Sequence, residues 1–439
     1  MKNLDFSTDI PTLGKANIVS PLKKSIKPGS PEKRFVSDKS RMLIDIQIDR
    51  INAGKKKAMS FDQAGPREKI YFDPNKLKCA IVTCGGLCPG LNDIIRSIVL
   101  ELYHIYNVKI IYGIRHGLQG FIPDFEHDLV NLNPDTVSDI QNKGGSILGS
   151  SRGAQDIGLI VNYLERLNIG ILFMVGGGGT LMASEHIAEE IDSRKLKISI
   201  IVIPKTIDND ICLVSRSFGF DTAVDVATLA IRGAHNEAVA YPNGIGLIKL
   251  MGRHSGFLAA TAALAQQDAN FVLVPEIEFS LFGKTSFLQA LENRIMHRKH
   301  AVIIVAEGAG QTFFESHEKS YDPSGNIILQ DIGIFLKDKI FHWFQARNIA
   351  ISLKYIDPSY IIRSLPANAN DSVFCGLLGR HAVHAGMAGK TKLMVSSWND
   401  KYVHVPIAAS AGERKTLDPQ GQLWQSVLEA TGQDSYFTH

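Results

Sequence analysis

The chain has 439 residues, of which 45% are hydrophobic and 21% charged, the composition of an ordinary soluble globular protein with two or three domains. No apolar run reaches the length of about 18 residues that a membrane-spanning helix needs, so we expect no membrane association. The net charge of +3 is uneven, since residues 1–57 hold 13 Lys and Arg against 6 Asp and Glu and the rest holds 34 against 38, which argues against a nucleic-acid-binding body.

Residues 1–58 are rich in Lys, Ser, Pro and Gly and show little hydrophobic periodicity. This composition predicts an extension that is disordered alone or wraps a neighbour, with the ordered body beginning near Lys78. Lys55–Lys57 are interpreted as a solvated charge run, with a targeting or polyanion-binding patch as the alternative. The first residues carry Asp5 and Asp9 and no apolar block, which argues against a secretory signal.

The chain has five cysteines, which is a small number for its length and an odd one. Cys84 and Cys88 flank a Gly-Gly turn, but no second pair matches them as zinc ligands. We therefore predict reduced thiols and a cytoplasmic protein.

The first predicted strand, Cys79–Thr83, runs into a glycine-rich turn that contains Gly85, and a helix is predicted for Ile94–Ile105. In a strand-turn-helix arrangement, backbone N–H groups at the helix start can cradle a phosphate. The turn matches neither the Walker A loop nor the GxGxxG fingerprint. The alternative is a simple turn that connects the strand to the helix and binds no ligand.

Two further glycine-rich segments follow in chain order. After a strand predicted over Val108–Tyr112, residues 144–153 are small and end near Arg152, whose guanidinium suits an anion. The strand Ile171–Val175 then leads to Gly176–Thr180, and a helix is predicted from Leu181. Four consecutive glycines indicate close approach of the backbone to a ligand or a turn with unusual dihedral angles.

A buried strand, Ile198–Ile203, is followed by the loop Pro204–Asp210. This loop places Lys205, Thr206, Asp208 and Asp210 at the carboxyl end of a strand, where open α/β sheets bind their ligands. One carboxylate could take a proton from a substrate hydroxyl while the other orients the substrate or helps to hold a metal. An Asx-rich turn is the alternative.

The second half repeats the alternation of strands and helices. A long helix is predicted to end near Ala240 and another near Ala388, and charged residues follow each predicted strand. These residues are Arg253 after Gly244–Leu250, Glu276 after Phe271–Val274, Glu307 after Ala301–Val305, and Arg363 in the segment that begins at Lys354. Singly, each is best explained as a surface ion pair, but together they predict a site at one edge of a sheet.

Taken in order, these segments resemble the phosphofructokinase family over about residues 78–410. The most specific matches are Pro204–Asp210 and Met251–Arg253. The other matching segments are Thr83–Asn92, residues 144–152, Phe218–Ala223, Pro275–Glu276, Ala306–Gly308 and Tyr360–Arg363.

The resemblance implies an α/β fold with two Rossmann-like three-layer domains, an active site in the cleft between them and a basic N-terminal extension. It implies an extension at 1–76, a phosphoryl-donor-binding domain at 77–219 plus about 362–412, and a sugar-phosphate-binding domain at 220–361 plus about 413–439. The implied activity is that of a 6-phosphofructokinase, a glycolytic kinase that transfers a phosphoryl group from ATP to O1 of fructose 6-phosphate with Mg²⁺. An allosteric homo-oligomer, a tetramer or a dimer, is also implied.

By resemblance, Asp208 is the base for the sugar 1-hydroxyl, and Thr206 and Asp210 hold the substrate or the transferring phosphoryl. Arg253 would neutralise the charge that develops on that phosphoryl. The sugar would be lined by Met251, Gly252 and Glu307, and its 6-phosphate held by Lys354, Tyr360 and Arg363. The donor would be held by Gly85, Arg152, Gly177, Gly178, Gly179, Thr180 and Lys205.

The donor loop departs from the family pattern, which usually reads Gly-Gly-Asp-Gly-Thr/Ser with an Asp associated with Mg²⁺. Gly178 stands at that position, so the usual metal ligand is absent. Losing a metal ligand commonly costs orders of magnitude in rate unless water or another group, such as Asp208, replaces it. Some members of this branch vary here, so inactivity does not follow.

The phosphoryl donor is judged from two positions. Pyrophosphate-using members tend to have Asp at the position of Gly179, where glycine leaves room for the α-phosphate of a nucleotide. Lys205 is shared with pyrophosphate users, but an ATP-using branch with an N-terminal extension also carries it. The steric argument favours ATP, with pyrophosphate as the alternative.

At Gly244, short bacterial members place an Arg that reaches a neighbouring subunit's substrate, so its absence predicts altered allostery.

Two hypotheses from other classes remain. A weakly active or regulatory paralogue is favoured by Gly178, whereas the retained Asp208, Asp210 and Arg253 argue against complete decay. A nucleotide-binding oxidoreductase is the general α/β alternative, and the absence of a GxGxxG motif with its downstream acid argues against it.

Overall fold

The computed structural model describes residues 6–24, 35–47, 59–314, 320–321, 327–435 and 437. The chain divides into two compact units, the first comprising residues 1–206, 211–219 and 365–414 and the second residues 207–210, 220–364 and 415–439. Lys55–Lys57, interpreted above as a solvated charge run, lie outside the described residues. Within the described ranges, every helix is too short or too polar to span a lipid bilayer.

The strands of the described residues form one large sheet, one sheet of four strands and one separate pair. In chain order they are β1 (Ile18–Val19), β2 (Arg41–Leu43), β3 (Ser60–Gln63), β4 (Lys69–Ile70), β5 (Lys78–Thr83), β6 (Ile110–Ile114), β7 (Val130–Asn131), β8 (Ile171–Gly176), β9 (Ser199–Pro204), β10 (Gly244–Leu250), β11 (Phe271–Leu273), β12 (His300–Ala306), β13 (Ser352–Ile356), β14 (Leu393–Trp398) and β15 (Lys401–Pro406).

The first unit is built on nine strands in the order β2-β3-β15-β14-β9-β8-β5-β6-β7. The central strands from β14 to β6 are parallel, and β8 and β9 are buried along their whole length, which explains their continuous apolar sequences. The turns after β5, β8 and β9 therefore meet at one edge of the sheet. The α-helices of this unit span Pro21–Lys24, Leu91–Leu100, Ile157–Arg166, Gly178–Ser193 and Ala369–Met387.

The ordered structure begins before Lys78, so the prediction that the ordered body starts there is wrong. β3 pairs antiparallel with β15, and β2 pairs antiparallel with β3. Phe61 in β3 is fully buried, and its ring packs edge-on against Trp398 with the centroids 5.8 Å apart. A strand of four mixed residues has too little periodicity to be found from sequence, yet the ladder and one buried ring hold it in place.

Two element boundaries differ from the prediction near the first helix. The helix predicted for Ile94–Ile105 begins at Leu91, and its last part, Glu101–Ile105, is a π-helix. The strand predicted over Val108–Tyr112 lies two residues later, as β6, because the Val108 amide still hydrogen-bonds to the end of the preceding helix.

The second unit is built on four parallel strands in the order β11-β12-β10-β13. β10 is buried except at Lys249, and its apolar side chains pack with Phe271, Phe287 and Phe344 in the core. The α-helices of this unit span Phe220–Ala240, Phe257–Gln266, Phe287–Arg298, Ile332–Gln345, Ser359–Ser364 and Gln422–Thr431.

Candidate active site

Three segments of the first unit meet at the glycine turn after β5. The Gly85 amide donates to the carbonyl oxygen of Ser151 at 3.2 Å, and the Ser150 hydroxyl donates to that of Gly85 at 2.5 Å. Nζ of Lys205, which follows β9, donates to the carbonyl oxygen of Gly86 at 2.6 Å. Gly85 has a φ of +80°, the left-handed region that favours glycine. A predicted donor-binding ammonium group therefore lies at this turn.

The glycine loop after β8 opens the helix Gly178–Ser193. The carbonyl oxygen of Gly177, the N-cap residue, accepts a hydrogen bond from the Leu181 amide at 3.0 Å, so the helix begins earlier than the predicted Leu181. A Cβ atom on Gly178 or Gly179 would have no neighbouring atom within 4 Å. A helix N-terminus attracts anions, and here the approach to it is open.

The remaining predicted donor residues, Arg152 and Thr180, lie beside these glycines. A Cβ atom on Gly86 would lie 3.7 Å from Nη2 of Arg152, which places the guanidinium at the turn after β5. Thr180 is buried, and a Cβ atom on Gly176 would lie 2.1 Å from its Oγ1. The first unit thus gathers glycines, a guanidinium and an ammonium group at one edge of its sheet.

The loop Pro204–Asp210 is held by backbone contacts on both of its sides. The carbonyl oxygen of Thr206 accepts a hydrogen bond from Oγ of Ser217 at 2.7 Å, and that of Asp210 accepts one from the Lys415 amide at 2.8 Å. Residues 207–210 belong to the second unit, and the residues on either side of them belong to the first.

Asp208 has a strongly perturbed carboxyl group. Burial raises its pKa to about 7, and the nearby carboxylates of Asp210 and Glu307 contribute to the rise. The guanidinium of Arg363 and a hydrogen bond from the backbone amide of Arg253 oppose it. A carboxyl group that titrates near neutral pH is suited to general base catalysis.

The turn after β10 carries Met251, Gly252 and Arg253. Met251 is fully buried, and Gly252 has a φ of +127°, where a Cβ atom would lie 2.5 Å from the carbonyl oxygen of Ser255. The Gly308 amide, which follows β12, donates to the carbonyl oxygen of Gly252 at 3.1 Å. Glycine is therefore required at 252, and the turn holds Arg253 next to the end of β12.

The three residues predicted to hold the 6-phosphate differ in their surroundings. Arg363 lies close enough to Asp208 to lower its pKa. Lys354 in β13 is exposed, with Nζ 5.4 Å from the ring centroid of Tyr241, and Tyr360 is 82% exposed. The structure thus brings Arg363 close to Asp208 and leaves the other two side chains open to solvent.

The sequence pattern placed Glu276 at the site, but in the structure its side chain makes contacts that stabilise the fold. Its Oε1 accepts hydrogen bonds from the amides of Gly256, at the start of the helix Phe257–Gln266, and of Leu417. Burial raises the pKa of Glu276 above its ordinary value, and both backbone hydrogen bonds oppose the rise. Its carboxylate therefore caps a helix and anchors the C-terminal segment.

Ser255 was missed by the sequence reasoning. Its hydroxyl is buried and donates to the carbonyl oxygen of Asp208 at 3.1 Å, which fixes the backbone of the predicted base. The available signal was a small hydroxyl residue two positions after the Met251–Arg253 motif. Among the described residues, no group of three or more His, Cys, Asp or Glu has the arrangement of a metal site. Gly178, the predicted metal position, has no side-chain ligand.

Comparison with known proteins adds independent evidence. The family model described as Phosphofructokinase matches residues 78–386. The chain belongs to the phosphofructokinase family. The family predicted from the sequence motifs is therefore confirmed.

Three relatives are similar to this phosphofructokinase family member over 84–98% of its length. An ATP-dependent 6-phosphofructokinase of Borreliella burgdorferi is 49% identical over 98% of this chain and 97% of its own length. One of Amycolatopsis methanolica is 44% identical over 97% of this chain and 94% of its own. One of Trypanosoma brucei brucei is 45% identical over 84% and 75%.

Solved structures show the same fold at lower sequence identity. A pyrophosphate-dependent phosphofructokinase of Marinobacter aquaeolei superposes with a TM-score of 0.66 at 20% identity, covering 81% of this chain and 91% of that chain. One of Nitrosospira multiformis gives 0.65 at 20% identity, covering 78% and 86%. The predicted α/β fold class with two Rossmann-like domains is confirmed.

Proposed function

We propose that this chain is an ATP-dependent 6-phosphofructokinase, which transfers the terminal phosphoryl group of ATP to the O1 hydroxyl of fructose 6-phosphate. The observation that carries the proposal is the carboxyl group of Asp208, with a pKa near 7, beside the Arg253 amide and Glu307. The names of the full-length relatives support the same reaction and the same donor.

On the acceptor side, Asp208 takes the proton from O1 as the new O1–phosphorus bond forms. Arg253 offsets the negative charge that develops on the transferring phosphoryl group, an effect that is large in phosphoryl transfer. Glu307, Met251 and Gly252 line the sugar, and the cationic and hydroxyl groups of Lys354, Tyr360 and Arg363 hold its 6-phosphate. Asp208 is in its active form above neutral pH, because its carboxyl group is then ionised.

On the donor side, ATP binds where the first unit offers glycines and cations. Gly85, Gly177 and Gly179 give the phosphates access to backbone N–H groups, and Thr180 follows them at the helix start. Lys205 and Arg152 balance the phosphate charge. The bond between the terminal phosphorus and the bridging oxygen of ATP breaks, and ADP leaves with that electron pair.

Mg²⁺ is included in the proposal as the ion that enters with the ATP phosphates. Gly178 has no side-chain donor, so the residue at the expected ligand position does not fit the metal. We therefore assign no step of the reaction to a protein-held ion.

The choice of ATP over pyrophosphate rests on the open space at Gly179. The test is the rate of fructose 1,6-bisphosphate formation with each donor, for the natural chain and for Gly179→Asp. We expect turnover with ATP, and a rise of the KM for ATP in the variant, because a carboxylate would occupy the space and repel the α-phosphate. Turnover with pyrophosphate in place of ATP would contradict the assignment.

A weakly active or regulatory paralogue is the second candidate, and the glycine at 178 favours it. Such a chain would bind fructose 6-phosphate in calorimetry and show little or no turnover with either donor. The measured rate of the natural chain, alongside the binding measurement, separates the two candidates.

We further propose a cytoplasmic homo-oligomer, a tetramer or a dimer, that is subject to allosteric control. The five cysteines are free thiols, which supports a reducing compartment. At Gly244, a Cβ atom would lie 2.0 Å from the carbonyl oxygen of Ala238, so an Arg would not fit there without a backbone shift. Sedimentation measurements with and without substrate test the oligomeric state.

A further inference from the structure

Lys249 is a largely buried cation near the carboxyl end of β10, an otherwise apolar strand of the second unit. Its neighbours in β10, Ile248 and Leu250, are fully buried, whereas the Lys249 side chain is 12% exposed. A lysine in such a place requires anionic partners, because an unpaired buried charge is strongly unfavourable.

Two carboxylates bind this ammonium group. Oδ2 of Asp331 lies 2.6 Å from Nζ, and Oδ2 of Asp357 lies 3.0 Å from it. Burial lowers the pKa of Lys249, but these two hydrogen bonds outweigh it and hold the pKa above its ordinary value. The lysine therefore stays charged and joins two segments that are distant in sequence.

Asp357 leads into the segment that carries the proposed phosphate-binding residues. Its Oδ1 accepts hydrogen bonds from the amide and the hydroxyl of Ser359, which begins the helix Ser359–Ser364. Tyr360 and Arg363 lie on this helix. The position of the helix start is thus tied to β10 through one carboxylate.

Asp331 fixes the segment that touches Arg253. Its Oδ1 accepts a hydrogen bond from the Ile334 amide and caps the helix Ile332–Gln345. Just before it, the carbonyl oxygen of Ile327 accepts a hydrogen bond from Nη1 of Arg253 at 3.0 Å.

A second contact of the same segment reaches Glu307. Nε2 of Gln311 donates to the carbonyl oxygens of Glu307 at 2.9 Å and of Gln330 at 3.1 Å. One ammonium group therefore anchors the starts of two segments, and both segments contact or carry proposed substrate-binding residues.

We propose that Lys249 is a positioning residue for sugar-phosphate binding, which acts through Asp357 on the helix Ser359–Ser364 and through Asp331 on the segment beside Arg253. This inference rests on the proposed function, since it assigns a role toward the same substrate. It predicts that the charge at 249 affects the sugar phosphate and leaves the nucleotide unaffected.

The test compares Lys249→Met with Lys337→Met, the same change at an exposed position of the helix Ile332–Gln345. Fructose 6-phosphate binding is measured by calorimetry, and KM values for both substrates by steady-state kinetics. In Lys249→Met we expect the Kd and KM for fructose 6-phosphate to rise about tenfold or more and the KM for ATP to stay within about twofold. Lys337→Met should match the natural chain.

Two milder variants keep the test valid if Lys249→Met does not fold. Asp357→Asn retains a side-chain oxygen for Ser359 and loses the charge, so we expect a smaller rise, about threefold. Lys249→Arg retains the charge and should recover part of the affinity. A merely structural role would lower the unfolding temperature and leave both KM values unchanged, which would overturn the proposal.

The outcomes also separate this inference from the proposed function. Normal fructose 6-phosphate binding in both Lys249→Met and Asp357→Asn would overturn the positioning role while the kinase assignment stands. Binding that weakens in the variants, in a chain that shows no turnover, would support the positioning role and contradict the kinase assignment. A natural chain that neither binds nor phosphorylates fructose 6-phosphate would overturn both.

Discussion

A Cβ atom on Gly308 would lie 2.0 Å from the carbonyl oxygen of Arg253, closer than any side chain can approach. We therefore expect Gly308→Ala to displace Arg253 and to lower kcat by about 10²-fold, the scale of losing one group that stabilises transition-state charge. Gly233→Ala is the control, because a Cβ atom there meets nothing and alanine stabilises a helix interior by about 0.5–1 kcal/mol. An unchanged kcat in Gly308→Ala would show that the placement of Arg253 does not depend on this contact.

The pH dependence of catalysis should reflect Asp208. Burial raises its pKa to about 7, and the base must be ionised to accept a proton, so kcat/KM for fructose 6-phosphate should fall as the pH drops through about 7. Asp210→Asn removes one of the negative charges that raise this pKa, so the acidic limb should move toward lower pH. Asp208→Asn should lower kcat by about 10²–10⁴-fold. An acidic limb that stays in place in Asp210→Asn would argue that another group titrates.

The glycine at 178 can be tested by restoring a carboxylate. A side chain there has open space, and a negative charge in the first turn of a helix is favourable, so Gly178→Asp should fold normally. We expect the Mg²⁺ concentration for half-maximal rate to fall by about 10–100-fold, the usual effect of a group that supports a metal. Gly233→Asp, at another open position, should leave the Mg²⁺ dependence unchanged. An unaltered requirement in Gly178→Asp would mean that other groups hold the ion.

Acid should destabilise the first unit through two histidines. Burial lowers the pKa of His404 in spite of its hydrogen bond to Asp62, and burial lowers that of His381 to about 4. In both cases the folded chain takes up the proton at a lower pH than the unfolded chain does, so stability that is present above about pH 6.5 is lost as the pH falls, for His381 toward pH 4. His381→Phe keeps the ring stacked on Tyr402 and removes one proton, so the slope of unfolding free energy against pH should decrease by about 1 kcal/mol per pH unit. Urea unfolding between pH 7 and pH 5 measures it, and an equal slope in both chains would contradict the assignment.

The sequence predicted the parallel core well, because β5, β8, β9 and β12 are nearly continuous apolar runs, β10 is apolar except at Lys249, and glycine or charged residues follow these strands. The edge rule of α/β sheets grouped Arg253, Glu276, Glu307 and Arg363, and the family resemblance added Asp208. Glu307, Arg363 and the Arg253 amide do act on the carboxyl group of Asp208, whereas Glu276 binds the amides of Gly256 and Leu417 instead. The roles proposed for these residues remain predictions.

The features that could not be predicted from the sequence depend on residues that are distant along the chain. The sequence of β3 is a mixed tetrapeptide with no strand signal, and its strand forms through pairing with β15. Lys249 interrupts an apolar strand in the sequence, and only the structure shows that Asp331 and Asp357 bind it. Ser255 has no periodic signal, since its importance lies in one hydrogen bond to the backbone of Asp208.

The place of β3 in the sheet decides how the chain may be shortened. His404 pairs in register with Asp62, whose carboxylate also binds Nζ of Lys390 at 2.8 Å. A protein that begins at Lys78 would lack β3, so β15 would become an exposed edge strand. Its unpaired N–H and C=O groups could then pair with other chains. It would also leave the ammonium group of Lys390 without the Asp62 carboxylate that binds it. Such a fragment should precipitate or self-associate, so the leading segment belongs in every preparation of this protein.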